Sequence, residues 1–95
     1  MKPKKTTIEG ELEEKRKAMC DVIITRAATM MLEKAGASMP MALDRIVTYA
    51  AAQACATSGK QEAANGFRAM ADRIEAGIFD EMCANVSARR RRNMQ

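Results

Sequence analysis

Apolar residues along this chain recur at helical spacing, and no segment alternates with a period of two. Two clusters of chain-breaking residues punctuate the pattern, Gly36-Ala37-Ser38-Met39-Pro40 and Thr57-Ser58-Gly59-Lys60. The spacing between and around them predicts three helices, over about 8–35, 39–58 and 61–88.

In the first helix, Thr6 and Glu9 fit a capping box, although Gly10 weakens the first turn. Glu11 with Lys15, and Glu13 with Lys17, form i,i+4 pairs in the favourable orientation, worth about 0.2–0.5 kcal/mol each. Leu12, Met19, Ile23 and Met30 make one apolar stripe, which the neighbouring helices are expected to take up. Cys20, Ile24, Ala27, Ala28 and Met31 make a second stripe beside it, with Val22 and Leu32 outside both. Gly36 is the natural stop.

In the second helix, Ser38 is placed to cap and Pro40 falls in the first turn, where a missing N–H costs nothing. Leu43, Ile46, Val47, Ala50 and Ala54 line one face, and Ala50-Ala51-Ala52 with Ala54 and Ala56 leave small side chains that allow close approach of a neighbour. Gly59 ends it. The third helix carries a stripe of Ala63, Phe67, Met70, Ala71, Ile74, Ile78 and Met82. Asn65-Gly66 is a turn signal inside it, so a short helix at 60–65 followed by the main one from 67 is the alternative reading. Phe79, Cys83 and Val86 form a second strip, rotated by about 100° from the first.

These elements predict an all-α fold: an antiparallel three-helix bundle with short connections over 8–88, between basic tails at 1–7 and 89–95. Helices one and three carry more apolar surface than such a bundle covers. Soluble monomers rarely leave large patches open. Ile24, Met31, Leu32, Phe79, Cys83 and Val86 are therefore expected to meet a partner, most simply a second copy about a two-fold axis.

Charge changes this picture in one respect. The chain has 95 residues and a formal net charge of +4, but Lys2, Lys4, Lys5 and Arg89, Arg90, Arg91 and Arg92 sit at its ends. Between them lie nine basic and all twelve acidic residues, a body of net −3. A fold that reads nucleic acid carries its positive charge on the fold. Here the ends hold it, where contacts to phosphate or to an acidic surface would be salt-sensitive and blind to sequence.

Composition removes most chemistry. There is no His, the commonest general base and metal ligand, and no Trp; one Tyr and two Phe offer no stacking platform. Cys20, Cys55 and Cys83 stand far apart without a C-x-x-C, and are expected to be small buried hydrophobes in a reducing compartment. Asp72, Glu75 and Asp80 beside Arg68 and Arg73 read as solvated ion pairs, and Tyr49 as an amphipathic edge residue. No Gly-rich phosphate loop, nucleophile triad or metal cluster is present, so no catalytic residue, metal or cofactor is expected. The second and third helices also make a poor DNA-reading pair: Ser58 and Lys60 flank Gly59 where apolar residues belong, and Gln61-Glu62-Ala63-Ala64 offers no Arg to guanine.

Methionine is the outlier, with nine in the chain. Met is an adaptable contact residue on promiscuous surfaces, and Met39 and Met41, flanking Pro40 in a connection, suit a partner-binding loop. Residues 9–17 exclude a signal-peptide core behind the basic start, and no run approaches about 18 apolar residues. The expectation is a cytoplasmic, non-enzymatic interaction protein that forms a homodimer and acts as adaptor, regulator or inhibitor of a larger protein. The alternative is a nucleic-acid-binding accessory protein working through its basic ends.

Overall fold

A computed structural model describes residues 3–93 and, within them, the side-chain surroundings of 8–86, 89, 90 and 92. The described residues form four helices and no strand: α1 Pro3–Glu33, α2 Met39–Ser58, α3 Lys60–Ala76 and α4 Asp80–Asn93. The all-α class stands. The count of three does not, because the expected third helix is broken.

The break is at Gly77, which adopts the left-handed conformation at φ 106°. Its amide donates to the Ile74 carbonyl at 3.1 Å, and the Ile78 amide donates to the Arg73 carbonyl at 3.2 Å. This pair of bonds is a Schellman motif, which satisfies the last carbonyls of α3 and turns the chain out of the helix. The Asp80 amide then donates to the Gly77 carbonyl at 3.1 Å, and α4 starts at Asp80, the Cys83 amide bonding to Phe79. The Asn65-Gly66 turn signal, by contrast, lies inside an unbroken α3. There the Asn65 side-chain oxygen accepts from Gln61 and Arg68, bonds of one helical face.

The α1 helix begins five residues earlier than the spacing predicts, with Pro3 in its first turn, where proline fits. Thr6 and Glu9 therefore lie within the helix and do not cap it. Glu13 pairs with Arg16 at 3.6 Å and Glu14 with Lys17 at 3.5 Å, both at i,i+3, in place of the expected i,i+4 pairs. The helix ends at Glu33, and Gly36 turns the chain at φ 71° while the Ala37 amide returns to the Met31 carbonyl at 3.0 Å. The cap of α2 forms as expected, the Met41 amide donating to the Ser38 hydroxyl at 3.3 Å. A single residue, Gly59 at φ 89°, separates α2 from α3.

The chain divides into two units, Met1–Tyr49 and Ala50–Gln95. In the first, burial is confined to the corner where α1 gives way to α2. Ala42 is fully buried, and Ala27, Ala28, Met31, Leu32, Ala37 and Ile46 are half-buried. Every α1 residue from Ile8 to Arg26 is exposed. In the second unit only Ala63 is buried, with Ala51, Ala54, Ala64 and Gly77 half-buried. Two alanines are thus the whole interior of the described residues. The apolar stripes assigned to a bundle core (Leu12, Met19, Ile23 and Met30; Leu43 and Val47; Phe67, Met70, Ile74, Ile78 and Met82) are all exposed. The reason is that each unit has too few helices to surround a large side chain, and its contacts are made by alanine. The three cysteines, expected inside, are exposed for the same reason.

Candidate interaction surfaces

On α1 the two stripes change places relative to expectation. The second stripe turns inward at its C-terminal end, where Ala27, Ala28 and Met31 are half-buried together with Leu32. The first stripe faces solvent, with Leu12, Met19, Ile23 and Met30 between 47% and 59% open. Ile8, Val22 and Ile24 add to this open face. Around Leu12 stand Glu9, Glu13 and Arg16, and the Glu13–Arg16 pair is well solvated, so its net worth is about 0–1 kcal/mol.

Met39 and Met41, expected in a partner-binding loop, lie in the first turn of α2 and are half open, as are Leu43 and Val47 beyond them. Tyr49 is more open still, at 68%, an edge residue without a buried partner for its ring.

In the second unit, α2 and α3 diverge from Gly59 and enclose an apolar groove of about 390 Å³. Ala50, Ala54 and Ser58 form one wall, at a spacing of four, and Ala63, Gly66, Phe67 and Met70 the other, with Glu62 at its edge. A Cβ added to Gly66 would meet nothing within 4 Å. The groove is open to solvent, and Phe67 and Met70 on its wall stay about 40% open.

Of the residues expected to meet a partner, Ile24, Phe79, Cys83 and Val86 are exposed, while Met31 and Leu32 are half-buried against their own unit. Phe79 lies in the turn that the Gly77 break creates, and Cys83 and Val86 follow on α4. Among the basic ends, Arg89, Arg90 and Arg92 are exposed on α4, and Arg91 belongs to the same helix. The side chains of Lys4, Lys5 and Arg91, and all of Lys2, lie outside the described residues. No described acidic side chain lies within 4 Å of Arg89, Arg90 or Arg92. The ion pairs among the described residues are Glu13–Arg16, Glu14–Lys17 and Asp44–Arg45. The expected pairing of Arg68 and Arg73 with Asp72, Glu75 and Asp80 is therefore not made.

Among the described residues no group of three or more His, Cys, Asp or Glu could hold a metal ion, and no helix is long and apolar enough to cross a membrane. No protein-family model, curated protein or solved structure matches the chain.

Proposed function

We propose that this chain is a small non-enzymatic interaction module that self-associates and then works as an adaptor, regulator or inhibitor of a larger protein through its helical faces. One observation supports this most. Nineteen large hydrophobic side chains are between 39% and 71% open, against two buried alanines. At about 100 Å² of apolar surface per large side chain, roughly half of it open, this is on the order of 1,000 Å² per chain. A standard stable interface takes roughly 800 Å² from each partner. Spread over both units, the open apolar surface is comparable in amount to what one interface takes, and most of it lies on regular helices, the elements that helix-in-groove recognition uses. The adaptable Met39 and Met41, both open, fit contact with more than one shape.

Light scattering coupled to size-exclusion chromatography tests the first step. A mass near twice 10.4 kDa at tens of micromolar is expected. A strict monomer that binds no hydrophobic-surface dye would sink the reading.

A second reading has its own observation. Arg89, Arg90 and Arg92 are displayed on a helix with no acidic partner among the described residues, an arrangement suited to phosphate. Binding of a short DNA duplex that collapses between 50 and 200 mM salt would support it, and binding indifferent to salt would not.

A further inference from the structure

The most acidic and the most basic stretches of the chain each adjoin an open apolar strip. On α1, Glu9, Glu11, Glu13 and Glu14 crowd the turns around Ile8 and Leu12, with Met19 two turns on. On α4, the run Arg89 to Arg92 follows Phe79, Met82 and Val86. These six apolar side chains are between 39% and 71% open in the single chain. Both segments pass from negative to positive along the chain. Lys15, Arg16 and Lys17 follow the glutamates of α1, and Asp80 and Glu81 precede the arginines of α4.

We infer that α4 of one copy docks antiparallel on the N-terminal half of α1 of a second copy, and that the exchange is reciprocal. Val86 meets Leu12 of that copy, and Phe79 meets Met19 of that copy. This rests on the self-association proposed above and gives it a surface and a direction. The acidic helix that suits the arginine-rich one is carried by the same chain, which makes a second copy the occupant.

Spacing sets the register. Leu12 and Met19 are seven residues apart, as are Phe79 and Val86, so both apolar pairs close together. Lys15 and Arg16 lie within the α1 strip between its apolar residues. In this register they come against Met82 and Cys83, which carry no charge, and their stems cover apolar surface while the heads reach water. Arg16 falls on the edge of the seam where Asp80 stands.

Charge sets the direction. At 3.6 residues per turn, Glu9 and Glu11 flank the α1 strip on opposite edges. In the antiparallel register Glu9 stands within one turn of Arg90, and Glu11 within one turn of Arg89. A parallel pair could also match Leu12 with Phe79 and Met19 with Val86. It would bring Asp80 and Glu81 level with Glu13 and Glu14, and carry Arg89 and Arg90 beyond the glutamates to Val22 and Ile23. Unlike charges across an interface fix its register, and like charges in the same place oppose it.

The surface is free on both helices. Residues 8–26 of α1 are exposed, and the half-buried Ala27, Ala28, Met31 and Leu32 lie further along and on another side of the helix. Among the described residues Glu9, Glu11, Arg89 and Arg90 make no ion pair. A two-fold axis repeats the contact, so each copy covers both of its strips and the assembly closes at two.

The test is a charge exchange on the full chain. One variant carries Glu9→Arg and Glu11→Arg, the other Arg89→Glu and Arg90→Glu. All four positions are exposed, and circular dichroism checks that the helices are kept. Sedimentation equilibrium at 50 mM salt should show a wild-type dimer and association weakened by about tenfold or more in each variant alone. Mixing the two variants should restore it, because each α1 then meets an α4 of opposite sign. Variants that associate as the wild type does overturn the inference while leaving self-association in place. No recovery in the mixture overturns it too, and recovery confined to a chain carrying all four substitutions then places α4 on α1 of its own chain. A wild-type mass of 10.4 kDa overturns both this contact and the self-association.

Discussion

The Ile78 amide donates to the Arg73 carbonyl at 3.2 Å across Gly77, and this bond divides what the apolar spacing presents as one helix. It depends on a backbone at φ 106°, which an L side chain adopts only with strain. Gly77→Ala should cost about 1–2 kcal/mol, the ordinary penalty of that region. A Cβ there would also press the Asp80 carboxylate, at 2.7 Å. Differential scanning calorimetry at matched protein concentration should show the melting midpoint falling by several degrees. Gly77→Asn, which tolerates the left-handed region better, should fall less. Equal midpoints for wild type and Gly77→Ala would refute the account of the break.

The opposite sign is expected eleven residues earlier in the chain. Gly66 has helical backbone inside α3 and open space where a Cβ would go. Gly66→Ala removes only the flexibility of glycine in the unfolded chain and should stabilise by about 0.5–1 kcal/mol. The same calorimetric series reads this as a raised midpoint. A lowered one would mean that something occupies the groove at that wall.

Ser38 holds the first turn of α2 through one bond to the Met41 amide. Ser38→Ala should lose about 0.5–2 kcal/mol, and Ser38→Asp should retain most of it, since a carboxylate accepts the same bond. Urea titration followed by far-ultraviolet dichroism distinguishes the two. If Ser38→Asp proves as weak as Ser38→Ala, the hydroxyl is not acting as a cap.

A charge placed in the middle of the α1 stripe should separate self-association from helicity. Ile23 is more than half open in the single chain, so Ile23→Lys strains nothing within it. In an associated pair it buries a charge without a partner, which costs several kcal/mol. Sedimentation equilibrium should show association weakened by two orders of magnitude or more. Unchanged association would direct attention to α3 and α4 instead.

Replacing Arg89, Arg90, Arg91 and Arg92 by Gln checks the basic helix end. Four phosphate contacts on duplex DNA give a salt slope near −3.6, so affinity should drop by about 150-fold between 50 and 200 mM salt, and the variant should lose that slope. Fluorescence anisotropy with a labelled duplex measures both. Binding that survives the substitution would clear these arginines of the role.

How much of this was readable beforehand depended on whether the signal was local. The α2 helix lies between Ser38 and Gly59 because its cap, its early proline and its terminal glycine act on their own neighbours. The break at Gly77 was masked because Ile74, Ile78 and Met82 keep helical spacing straight across it. The informative residues were the glycine itself and Asp80 three positions on. The facing of α1 was not legible at all. Two adjacent stripes of similar apolarity give a helix no preferred side, and the choice is made by the alanines Ala27, Ala28 and Ala42, whose small size lets α2 approach. The cysteines followed a habit of burial that requires an interior, and two alanines do not provide one.

With an interior of two alanines among the described residues, the proposed self-association would also govern how long the protein lasts. Cohesion that comes from a second molecule rises with the number of molecules present. Under the proposed self-association, the helices would open often and be accessible to proteases at low copy number and would be shielded at high copy number. Lifetime in the cell would then follow dosage, and a modest drop in synthesis would be amplified into a steeper fall in abundance.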